Sequence, residues 1–168
     1  MSITILNLDK VISQIEDYRK GLQDKVNRFL ERLSTLGAYR ARVEFTNAMY
    51  AGTNDVMVSV ETTATGYQVV AAGQAVLFIE FGTGVKYPDN HPEAGKHGMV
   101  RGQNGYKLGR LPQGWRYEGA PGSNGEVITE GKHVGEVHTY GNPANMSMYQ
   151  TIRELEEKFE EIARRVYV

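Results

Sequence analysis

The chain has 168 residues, 40% of them hydrophobic and 23% charged, with a formal net charge of −1, which fits one globular domain with a core of its own. It contains no cysteine, so disulfides, thiolate metal sites and a thiol nucleophile are excluded. The near-neutral charge gives no whole-molecule reason to expect nucleic-acid binding; the first residues lack a basic-then-apolar leader, and Ala75 to Ile79, the longest apolar run, is too short to span a bilayer.

From Leu8 to Leu36 the apolar residues fall at helical spacing, and Leu8, Ile15, Leu22, Phe29 and Leu36 repeat every seven residues. This spacing predicts a long amphipathic helix, with its stripe packed on the domain's own sheet; a coiled coil with another chain is the alternative. Gly37 is placed to end the helix. Tyr39, Ala41, Val43 and Phe45 then alternate with polar residues, as do Val56, Val58 and Val60, and Tyr67, Val69 and Ala71. Short links between these runs predict a three-stranded antiparallel meander. Gln74 to Phe81 reads as either a short buried helix or a fourth strand, with the helix favoured.

Fourteen of the 19 glycines lie between Gly82 and Gly141, so the middle of the chain is expected to be loops and hairpins, an insertion at about 85–135 within a single domain spanning 1–168. Residues 85–113 carry a net charge of +3. Trp115 and Tyr117, and later Val137 and Thr139, read as two strands flanking a glycine-rich excursion. Asn142-Pro143 reads as a helix start, followed by Met148, Ile152, Leu155, Phe159, Ile162 and Val166 at helical spacing. The fold class is α+β: an antiparallel sheet with a long N-terminal and a C-terminal helix.

Catalytic patterns are scarce. Gly82-Thr83-Gly84 lacks the Gly-Lys-Ser/Thr of a phosphate loop. His91, His97, His133 and His138 lack metal-ligand spacing and read as surface histidines, and no Gly-x-Ser-x-Gly elbow occurs. No cofactor is expected. Glu80, between Ile79 and Phe81, is either a general acid or a carboxylate accepting backbone N–H groups, for which the Gly82-Thr83-Gly84 turn is the nearest source. The second reading is favoured, because no second catalytic group is evident. Lys86, Arg101, Lys107 and Arg110, interleaved with aromatics that include Trp115 and Tyr117, form a candidate interface, for protein or, less readily, for DNA.

Glu80-Phe81-Gly82-Thr83-Gly84 resembles the Glu-Phe-Gly-Thr-Gly signature of a family of tail-component proteins of long-tailed bacteriophages. A long first helix, a few strands, an aromatic- and glycine-rich stretch and a Pro-containing lead into a last helix follow the family's order. Asn145-Met146-Ser147-Met148 departs from the Pro-Phe-hydrophobic run of many members. The resemblance implies a non-enzymatic virion protein of the head–tail junction, made in the bacterial host cytoplasm. Its role there would be tail completion or head–tail joining, as a homo-oligomeric ring. Implied partners are other neck or tail proteins: tail terminator, tail tube, head-closure or connector proteins. The alternatives are a small hydrolase using Glu80 with a loop histidine, and a DNA-contacting connector.

Overall fold

The structure, a computed structural model, describes residues 7–48, 50, 53–85, 90–99, 113–121 and 125–167. It is α+β, built along one 40-residue helix, α1 (Leu8–Asn47), about 60 Å long at 1.5 Å per residue. Ser34, Gly37, Ala38, Ala41 and Phe45 are all buried on it. Ser34, Ala38, Ala41 and Phe45 fall three or four apart, with Gly37 beside Ala38, so residues 39–46 take the helical period and not the strand period that their alternation suggested. The first strand of the expected meander is therefore the last two turns of α1.

Gly37 does not end the helix. A Cβ there would meet Leu155 Cδ1 at 3.0 Å and Val69 Cγ2 at 3.3 Å, so its missing side chain is a packing device where three elements converge. That close approach offsets the roughly 1 kcal/mol a helix loses at a glycine. The real stop comes ten residues later, where Asn54 Nδ2 donates to the Phe45 carbonyl at 2.7 Å and Asn145 Nδ2 donates to that of Glu44 at 3.1 Å, satisfying carbonyls a helix end leaves open.

Strands β1 (Met57–Thr63) and β2 (Gly66–Ala72) form an antiparallel hairpin in which Val58 pairs with Ala71 and Val60 with Val69. Helix α2 (Val76–Phe81) follows, as expected. Ala41 and Phe45 of α1, with Ala75 and Ile79, make the buried centre, ringed by Val58, Val69, Ala71 and Met148. Asp55 accepts the backbone N–H groups of Gln74 and Ala75 at 2.8 and 2.9 Å, fixing the start of α2.

Two smaller sheets complete the described residues. Strand β3 (Thr83–Gly84) pairs with β7 (Gly141–Asn142). In the other sheet β6 (Val137–Thr139) lies between β4 (Trp115–Tyr117) and β5 (Gly125–Val127), all antiparallel. The expected later hairpin is thus present, and the excursion contributes a third strand to it. A 3-10 turn, Ala94–His97, lies in the segment before β4.

Helix α3 (Ser147–Tyr167) begins four residues after Pro143 and runs antiparallel along α1. Phe29 meets Phe159 edge-on with ring centroids 5.1 Å apart, Arg40 pairs with Glu154, and Lys25 Nζ donates to the Tyr167 carbonyl at 3.1 Å. The two long helices therefore pack on each other, where the sequence suggested that both would lie on one sheet face. Phe29 is 7% exposed but Phe159 is 51%. α3 ends level with Lys25, and the preceding part of α1 projects past it. There Leu8, Val11, Ile12, Ile15, Tyr18 and Leu22 are all exposed, so the first half of the apolar stripe does not pack on the chain's own sheet. Among the described residues no helix is long and apolar enough to cross a membrane.

Candidate functional site

The residues that carry the family resemblance lie where α2 ends and α3 begins. The carbonyls of Ile79 and Glu80 accept the N–H groups of Asn145 and Met146 at 2.8 and 3.2 Å. Met146 holds a left-handed φ of 58°, which turns the chain into α3. The open C-terminal carbonyls of one helix are thus joined to the lead-in of the next.

Glu80 finishes this joint with its side chain. It is 6% exposed; Oε2 accepts the Met148 N–H at 2.7 Å and Oε1 the Tyr149 N–H at 3.0 Å. These are the second and third residues of α3, whose N–H groups a local capping side chain would ordinarily take. A negative carboxylate at a helix N-terminus also gains from the helix dipole. The reading of Glu80 as an acceptor of backbone N–H groups holds, but the donors are Met148 and Tyr149 and not the Gly82-Thr83-Gly84 turn.

His91 closes the other side. Its Nδ1 accepts the Glu93 N–H at 3.1 Å, which leaves the proton of the neutral ring on Nε2, 3.3 Å from Glu80 Oε1. The ring packs against Phe81 at 4.5 Å and Tyr149 at 5.5 Å between centroids. His91 is 6% exposed, so it is no surface histidine. Asn90 adds a reciprocal pair, its Nδ2 donating to the Ala144 carbonyl at 3.0 Å and its Oδ1 accepting the Ala144 N–H at 3.2 Å. A histidine does converge on Glu80, but both carboxylate oxygens and both ring nitrogens are occupied by internal bonds.

Gly82 and Gly84 bring β3 against β7. Their φ angles are 76° and 107°, and a Cβ at Gly84 would fall 2.3 Å from the Tyr140 carbonyl oxygen. A turn of that hand and that closeness admits only glycine. Thr83, between them, is buried and faces an open cavity of about 470 Å³ whose walls include Tyr50, Phe78, Trp115, Tyr117 and Thr139. The structure thus brings Trp115 and Tyr117 together with the signature, in one aromatic hollow without a charged side chain among its described walls. Lys86, Arg101, Lys107 and Arg110 lie outside the described residues, and with them the basic part of the expected interface.

Nearby, Tyr50 has its hydroxyl pushed above its ordinary value by burial and by the charge of Asp55. Asp55 itself is held below its ordinary value by the N–H groups of Gln74 and then Ala75. No group of three or more His, Asp or Glu side chains among the described residues could hold a metal ion.

Sequence reasoning missed His91, Asn90 and the capping roles of Asn54, Asp55 and Asn145. For Asn145-Met146-Ser147 the signal was available, since small polar residues before an apolar periodic run mark a helix start. Nothing in the spacing links His91 to Glu80. No family model, curated protein or solved structure matches the chain.

Proposed function

We propose that the chain is a structural protein of a tailed-phage particle, a tail-completion or neck component that joins head and tail through protein–protein contacts. The signature resemblance carries this reading. Its support is the role these residues play: Glu80 to Gly84 bind α2, α3 and β7 into one joint, through the Glu80 carboxylate on main-chain N–H groups of α3 and through strand pairing with β7. A motif that works by holding main chain suits a scaffold whose task is to present surfaces. The exposed apolar side of α1 and the open aromatic hollow beside Thr83 are such surfaces.

The occupied hydrogen-bonding atoms of Glu80 and His91 favour this reading over a hydrolase built on that pair. Mass spectrometry of purified particles of the phage that encodes the chain tests the proposal. We expect the protein in constant ratio to the tail proteins, and its absence from washed particles would refute the assignment.

A further inference from the structure

The projecting end of α1 has a register written into it. Its seam residues are Leu8, Val11, Ile15, Tyr18, Leu22 and Lys25, an alternation of three- and four-residue steps that reads the same in both directions. Ile15 is 61% exposed and Tyr18 73%, yet a lone helix of this length, interrupted by Gly21, is marginal in water. Nothing among the described residues covers the seam.

We propose that residues 8–25 of α1 pair antiparallel with the same residues of a second copy. The seam then layers Val11 against Leu22 and Ile15 against Tyr18 of the other copy, about a twofold axis between residues 16 and 17. Leu8 falls against the aliphatic stem of Lys25. The uncovered length fits this partner, because α3 stops where Lys25 meets the Tyr167 carbonyl. The second helix begins at that level and runs away from α3, so the two do not compete for the groove. A parallel partner would run on into the space that α3 fills from Lys25 onward, and would set Lys25 against Lys25.

The contact is isologous and closes on itself. Ten exposed apolar side chains, five from each copy, place it at or below the small end of specific interfaces, about 1,200 Å², so the dimer is reversible and concentration-dependent. This inference does not rest on the proposed function.

The cysteine-free sequence allows a clean test. Sedimentation of the full chain should show a monomer–dimer equilibrium in the micromolar range, abolished by Ile15→Glu, with the melting temperature of the variant equal to that of wild type at dilutions where both are monomeric. A mixture of Val11→Cys and Leu22→Cys proteins should oxidise to a mixed covalent dimer. Neither variant alone should do so, because two copies of either position lie about 16 Å apart along the helices. A chain monomeric at every concentration, or disulfides formed by each variant with itself, would overturn the proposal.

Discussion

Replacing Glu80 separates a structural carboxylate from a catalytic one. Glu80→Ala leaves two N–H groups at the start of α3 and the His91 Nε2 proton without their acceptor. Each buried donor left unsatisfied costs about 1–3 kcal/mol. Water admitted to the gap recovers part of that, so we expect a net loss of about 3–5 kcal/mol. For a domain of this size the melting temperature would fall by roughly 8–15 °C. Glu80→Gln keeps one oxygen, which can serve one of the two helix N–H groups, while its NH₂ faces a donor. His91 cannot relieve that conflict by moving its proton, because Nδ1 is committed to Glu93. We therefore expect an intermediate loss of about 1.5–3 kcal/mol. Chemical denaturation followed by circular dichroism gives both values. An Ala variant within about 1 °C of wild type, or a Gln variant as damaged as Ala, would refute the capping role.

Gly84→Val, which forces a Cβ into the Tyr140 carbonyl, should destabilise by more than about 3 kcal/mol or prevent folding, visible as loss of soluble protein. Phe29→Ala should cost about 3–5 kcal/mol in denaturant unfolding, whereas the half-exposed Phe159 should cost about half as much. The depressed Asp55 carboxyl contributes stability above its unfolded pKa and loses it as pH falls through the lower folded value. The melting-temperature gap between wild type and Asp55→Asn should thus stay constant from pH 7 to about 4 and shrink below that. A gap that does not change with pH would remove the charge from the explanation.

What the sequence made legible follows from how local each interaction is. The heptad of Leu8 to Leu36, the short helix at 76–81 and the hairpin at 57–72 rest on neighbouring residues, and all three appear. Gly37 was misread because a glycine in a helix signals a stop or a close approach equally well, and only Leu155, distant in sequence, decides between them. The alternation at 39–46 failed for a related reason. Ala38, Ala41 and Phe45 also lie on one helical face, and α1 was already nucleated. At the signature, the backbone demand at Gly82 and Gly84 was legible from residue type. The donors that Glu80 serves were not, since Met148 and Tyr149 lie nearly 70 residues onward and local proximity pointed to the wrong N–H groups. Likewise the stripe of α1 was visible, but periodicity shows only that a face is apolar, and α3 covers it just from Lys25 onward.

The central proposal, that this chain joins phage heads to tails, is tested most directly by complementation in extracts. Cells infected with a phage whose copy of the gene is interrupted should accumulate filled heads and separate tails. Adding the purified wild-type protein should restore joined, infectious particles, with folded Glu80→Ala protein restoring fewer. Joined and infectious particles formed without the protein would contradict it.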